Sequence, residues 1–279
     1  MLGDNTAETD VSDIESGNAI EENRRRCKMA PMTFPPELIR QLAAAKSVAV
    51  LTGAGVSAES GVPTFRDAQT GLWAKFRPED LATPRAFQRN PRLVWEWYAW
   101  RRKLVAEAKP NPAHRALAEM EKLFPHFHLI TQNVDGLHQR AGSRKVVELH
   151  GNITRTKCFD EGTIISSWHE TGDVPPKCPN CGGLLRPDVV WFEEPMPEAE
   201  MEFAARASAT CEIFFAIGTS TVVYPAASLP FEALRGGATV VEINPQPTPF
   251  TGQAHFVFTG AAGVVLPQLL AEIKSSRRL

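Results

Sequence analysis

Several stretches of this 279-residue chain combine side chains and spacings suited to chemistry. Gly53-Ala54-Gly55-Val56-Ser57-Ala58 follows the apolar run "SVAVLT". Small residues there let a backbone approach a pyrophosphate, and a helix starting at the turn adds amide donors and positive dipole; a plain tight turn is the other reading. Gly61 and Pro63 interrupt the helix that should follow, and no acidic residue closes a next strand to hold a ribose. The turn therefore does not read as a hydride-transfer site. His150, between "VVEL" and Gly151, has the residue type to take a proton near neutral pH, with an ordinary pKa of about 6.5. His114 and His138 read as helix and loop structure instead. Asn133 and Asp135 precede Gly136 just past an apolar run, where they serve either as turn formers or as polar ligands. Cys158, Cys178 and Cys181 echo a four-cysteine zinc ribbon of which one CxxC pair is intact. Glu161 stands at the spacing of the missing thiolate, with Asp160 and His169 as further candidates; a degenerate site held by packing is the alternative. In "WEWYAWRR", Tyr98 and Arg101 are i and i+3 on one helical face, with Trp95 beside them. Trp97, Trp100 and Arg102 read as packing and surface positions of the same helix, the arginine snorkelling to solvent.

The elements that must position these groups follow from hydrophobic patterning. "SVAVLTGAG", "FHLITQN", "KVVELHG", "CEIFFAIGTS" and "ATVVEIN" are apolar, β-branched runs ending in small or polar residues. Helical stretches at 37–46, 112–123, 197–209 and 262–274 separate them. This alternation predicts an α/β fold, a Rossmann-like parallel sheet covered on both faces, with ligands at the carboxyl ends of the strands. Residues 64–108 read as a loop followed by helices, one of them over 91–108. Residues 154–189 read as a small inserted cysteine module. The expected organisation is a tail over 1–36 and a catalytic domain over 37–275, its core made of 37–63, 109–153 and 190–275.

Composition narrows the class. At 43% hydrophobic and 22% charged residues the chain reads as globular, and no apolar run approaches the roughly 20 residues that span a bilayer. With no basic start and apolar stretch at the N-terminus, and five cysteines in an odd, clustered set, a cytoplasmic protein with reduced thiols is expected. The formal charge of -2 hides seven acids and no base in residues 1–22. Arg24, Arg25, Arg26 and Lys28 form a basic run that reads as solvated linker, so neither nucleic acid nor membrane is an expected partner.

Taken together, "GAGVSAESGVPTFRD", "TQNVDGLHQRAG", "ELHGN", a cysteine module, "VVWFEE", "GTS" and "EIN", in that order, resemble the sirtuin family over roughly residues 37–275. The resemblance implies NAD-dependent protein-lysine deacylation that releases nicotinamide and O-acyl-ADP-ribose. It is most similar to the desuccinylase and demalonylase class, so the implied substrates are proteins bearing succinyl-, malonyl- or glutaryl-lysine, with weaker deacetylation. By that resemblance His150 is the general base. Gly53, Ala54, Gly55, Ser57, Gln132, Asn133, Asp135, Gly218, Thr219, Ser220 and Asn244 bind NAD, Asn133 and Asp135 at the nicotinamide carboxamide. Phe65 and Arg66 match the mobile cofactor-loop pair. Val190, Trp191 and Phe192 pair the substrate peptide by strand addition, Tyr98 and Arg101 bind the acyl carboxylate, and the three cysteines hold structural zinc. Glu193 departs from the family, which usually has glycine there. Plain deacetylation, ADP-ribosyl transfer and a non-catalytic NAD or acyl-lysine binding module remain the other readings; the last is disfavoured because His150 and Asn133 are both present.

Overall fold

The computed structural model describes residues 32–63, 76–169 and 171–277. Most of the expected tail, Cys27, and the Phe65–Arg66 pair lie outside the described residues. In chain order the elements are α1 (Pro36–Ala44), β1 (Ser47–Thr52), α2 (Gly55–Ala58), α3 (Pro78–Leu81), α4 (Pro84–Arg89), α5 (Pro91–Glu107), α6 (Pro112–Glu121), β2 (His126–Thr131), α7 (Leu137–Arg140), β3 (Val146–Glu148), β4 (Gly151–Cys158), β5 (Leu185–Val189), α8 (Glu198–Thr210), β6 (Ile213–Ile217), α9 (Leu229–Arg235), β7 (Thr239–Asn244), β8 (Phe256–Thr259) and α10 (Ala262–Ser276).

Six strands form one parallel sheet in the order β3-β2-β1-β6-β7-β8. The continuous apolar runs of β1 and β6 are explained by burial on both faces. Ala49 and Leu51 point into one core with Phe214, Ala216 and the small residues of α8 and α9. The alternation of a strand sends Val48 and Val50, equally buried, to the other face, where α1, α6 and α10 pack together. The strand order reverses between β1 and β6, so their carboxyl ends flank a crevice, the place where this architecture accepts ligands.

A second core joins α3 to α5 with β4 and β5, which pair antiparallel. Three of its neighbouring helix starts share one local device: Thr83, Asn90 and Asn111 cap backbone N–H groups of Ala86, Leu93 and Ala113, and each is followed by a proline at the first helical position. The run 145–151, expected as one strand, is divided. β3 ends at Glu148, and β4 starts at Gly151 with φ 77°, crossing the expected boundary at 153–154. Strand β8 was not expected from the sequence, because its apolar run, Phe256-Val257-Phe258, is only three residues long.

Candidate active site

The carboxyl ends of β1, β2, β6 and β7 bring the expected cofactor residues together. Gln132 Nε2 donates to Thr219 Oγ1 at 2.9 Å, and Asn244 Nδ2 donates to the Thr219 carbonyl at 3.0 Å. Asn133 Nδ2 donates to the Gly53 carbonyl at 3.0 Å and to Ser57 Oγ at 3.2 Å. Gly218 has φ 57°, and a Cβ there would lie 2.5 Å from the Val56 nitrogen; one on Gly53 would lie 2.7 Å from the Gly218 carbonyl oxygen. The glycines thus bring two strand-end loops against each other, a closer constraint than the open approach to a pyrophosphate expected from the motif alone. Helix α2 is a single turn, Gly55–Ala58, in place of a full crossover helix. Ser220 is exposed at the rim.

Asn133, Asp135 and Ser57 are buried polar groups at one end of this crevice. Burial raises the Asp135 carboxyl above its ordinary pKa, opposed by hydrogen bonds from the Leu137 amide and Ser57 and by the charges of Arg101 and Arg140. Behind them lies a polar layer that sequence reasoning assigned only to local structure. Ser57 Oγ meets His114 Nε2 at 3.3 Å, Thr52 Oγ1 meets His138 Nε2 at 2.9 Å and Thr131 Oγ1 at 2.8 Å, and His114 completes a capping box with Asn111. Burial pushes His114 down to about 4 and His138 down to about 3, so both are neutral. The sequence carried a signal for Asn111, a cap before Pro112, but none for Thr52 or Thr131, whose roles depend on strand register.

His150 Nδ1 lies 2.9 Å from the Gln132 carbonyl oxygen. A carbonyl only accepts, so Nδ1 carries the proton and Nε2 keeps its lone pair, the tautomer a base needs. Burial lowers the His150 pKa, with the Gln132 bond working the other way. The His150 carbonyl accepts from the Val190 amide at 2.9 Å, which fixes the "VVWFEE" segment beside the histidine.

Tyr98 is fully buried against Trp97 and Trp191, and its hydroxyl accepts from Trp191 Nε1 at 3.0 Å, leaving its own proton as the donor. Burial pushes the phenol up to about 12. Arg101 stacks over Trp97 at 5.0 Å; burial lowers its pKa, while Tyr98 and Asp135 hold it up. The helix therefore turns Tyr98 and Arg101 toward the buried Asp135 side of the crevice. Trp191 is buried, so it supports Tyr98 from beneath, and Phe192 is the exposed aromatic of the pair. Arg186 lies over the Trp191 ring, 3.3 Å from its centroid, and is paired with Glu194 in the interior. Sequence reasoning missed that pair.

Trp97 packs, as expected, and is fully buried. Two other expectations for this helix are corrected. Arg102 does not snorkel to solvent but donates to the carbonyls of Ile153 and Arg155, at 2.6 and 2.8 Å, and to Thr156 Oγ1, clamping α5 onto β4. Trp95 lies under Arg102 and packs on the cysteine module, away from Tyr98.

In that module the ligand atoms of Cys158, Glu161, Cys178 and Cys181 all lie within 4.8 Å of one another. Three thiolates and a carboxylate are a donor set that tetrahedral zinc accepts. The amides of Glu161 and Gly183 point at the sulfurs of Cys158 and Cys181. Asp160 and His169 are not part of the group, so Glu161 is the fourth ligand the geometry offers. Cys211 is a core thiol pushed up to about 12 by burial.

A crevice where the strand order reverses is the place where an α/β sheet of this kind accepts a dinucleotide, and His150 stands beside it. The Sir2 family model matches residues 53–225. An NAD-dependent protein deacylase of Aquifex aeolicus is 54% identical over 80% of this chain and 93% of its own length. NAD-dependent protein deacylase 2 of Pyrobaculum aerophilum is 52% identical over 85% of the chain and 94% of its own. Among solved structures, a Sir2 homolog–NAD complex superposes with TM-score 0.82 at 43% identity, covering 91% of this chain and 99% of that one. A Sir2–p53 peptide–NAD+ complex gives TM-score 0.74 at 31% identity, covering 86% and 98%. The chain belongs to the Sir2 family and is an enzyme of its NAD-dependent protein deacylase kind.

Proposed function

We propose that this deacylase removes acidic acyl groups, succinyl, malonyl or glutaryl, from protein lysines, with weaker deacetylation. The observation that carries the reading is that Tyr98 and Arg101, three residues apart on α5 and packed among Trp97 and Trp191, lie close enough to Asp135 for its charge to act on the guanidinium. A guanidinium fork bonds both oxygens of a carboxylate, the phenol proton adds a third donor, and the dry walls strengthen both. An acetyl group carries no charge to meet the guanidinium, so the Tyr98–Arg101 pair discriminates by charge.

NAD, when bound, supplies an electrophilic ribose carbon and the hydroxyl that accepts the acyl group. Gly53, Ala54, Gly55, Gly218, Thr219 and Ser220 line its phosphate and ribose side, Gln132 and Asn244 hold ribose hydroxyls, and Ser57, Asn133 and Asp135 orient the carboxamide. His150 Nε2 takes the proton from the ribose hydroxyl. The Val190 carbonyl and the Phe192 side chain hold the peptide, which adds as a strand beside residues 190–192. The protein acts in the cytoplasm.

The test compares NAD-dependent turnover of matched succinyl-lysine and acetyl-lysine peptides by the wild type and Arg101→Met. The expected result is a strong succinyl preference that the variant loses, by about 10- to 100-fold in kcat/KM for a charge-assisted pair. An acetyl preference, or a variant indistinguishable from wild type, overturns the acidic-acyl reading and leaves deacylation standing.

A further inference from the structure

Glu193 occupies a backbone conformation that a glutamate does not choose. The Glu194 amide donates to the Trp191 carbonyl at 3.1 Å, closing a turn in which Glu193 is the third residue, with φ 73°. That position of such a turn favours glycine, because a Cβ in the left-handed region is strained. The carboxylate nevertheless has a defined place. Both of its oxygens accept from Arg85 of α4, Nε donating to Oε2 at 3.0 Å and the terminal nitrogen to Oε1. The Phe192 amide donates to the Ala82 carbonyl at 3.0 Å, tying the same two segments together. Arg85 holds the Glu193 carboxyl below the usual carboxylate range.

This pair does little for the fold. The Arg85 side chain is 78% exposed and that of Glu193 42%, and ion pairs so exposed add little to stability. A strained residue whose contacts do not stabilise the protein points outward, to something the site binds. Glu193 is three residues from Val190, at most about 11 Å along an extended backbone. That is the span from an acylated lysine to a side chain two or three residues away on a peptide lying beside residues 190–192. A carboxylate offers about four lone-pair positions, of which Arg85 takes two.

Resting on the proposed peptide site, we infer that Glu193 reads the sequence around the acyl-lysine: it binds a lysine or arginine side chain of the substrate peptide near the modified residue. Arg85 keeps the carboxylate ionised and aimed, and being largely exposed it gives way to the incoming cation at little cost. The same pair disfavours an acidic neighbour, whose charge meets Glu193 first.

Fluorescent acyl-lysine peptides with arginine or glutamate at the flanking positions, each made as succinyl and acetyl forms, test this by anisotropy in the presence of NAD, with turnover followed in parallel. The wild type is expected to bind the arginine-flanked peptide at least about fivefold more tightly, a preference that fades with added salt. Glu193→Gln, which keeps the strained backbone and removes the charge, and Glu193→Gly, which removes both, are expected to lose the preference equally. The double change Arg85→Glu with Glu193→Arg is expected to reverse it. A preference that survives Glu193→Gln, or that is absent in the wild type, overturns the inference. Turnover confined to acetyl peptides, with the flanking preference intact in both forms, overturns the acyl reading alone.

Discussion

His150 shows how much a single residue owes to one neighbour. The Gln132 carbonyl selects the tautomer, and burial keeps the ring neutral at a pH where a free imidazole is partly charged. The base works in its neutral form, and its pKa lies below the ordinary value. The acid limb of kcat/KM for the free enzyme is therefore expected below pH 6.5. A pH–rate profile measures this, with His150→Ala expected to fall by about 100- to 10,000-fold; a limb centred above 6.5 contradicts the environment described. Chemical identity was legible at such positions through the ordered motifs around them, since Asn133 and Asp135 by themselves read equally as turn formers. What the sequence did not disclose is that His150 is held by the Gln132 carbonyl and that His114 and His138 are sealed behind Ser57 and Thr52.

At the scale of elements, the helices were legible where local chemistry starts them. Asn90-Pro91 and Asn111-Pro112 mark α5 and α6 without any tertiary help. The faces of α5 were not, since an arginine that clamps carbonyls of β4 and one that snorkels look alike in sequence. The cysteine module is the element whose integrity depends on a single substitution. With Glu161 in place of a fourth thiolate, the chain is expected to carry one zinc that a chelator removes with a fall in Tm, because a site built on folding returns its binding energy to stability. Glu161→Cys is expected to slow that release, since zinc favours thiolate over carboxylate in structural sites. Metal content and chelator-release kinetics check both. Zinc-free protein with an unchanged Tm after chelation would show the module to be held by Ile165, Leu185 and its flanking tryptophans alone.

For the whole molecule, the buried histidines couple the crevice to global stability. His114 and His138 titrate at about 4 and about 3 when folded and near 6.5 when unfolded. Between those limits the unfolded chain binds more protons, so stability present above pH 6.5 is lost as pH falls toward 4. Asp135, raised by burial, works in the opposite direction. Urea unfolding is expected to show a clearly lower midpoint at pH 5 than at pH 7.5, with an unchanged slope; equal midpoints contradict the burial of the pair. The sequence by itself determined the alternation of strands and helices, the family and the residues available for chemistry, because periodicity, caps and ordered motifs are local properties of a chain. Only the tertiary structure decided that the glycines of two distant loops touch, that Arg102 is a clamp while Arg101 stacks on Trp97, that Trp191 lies beneath Tyr98, and that Glu193 is held strained against Arg85. Those contacts join residues about 50 to 165 positions apart, and sheet register, close packing and burial set them, none of which a single segment encodes.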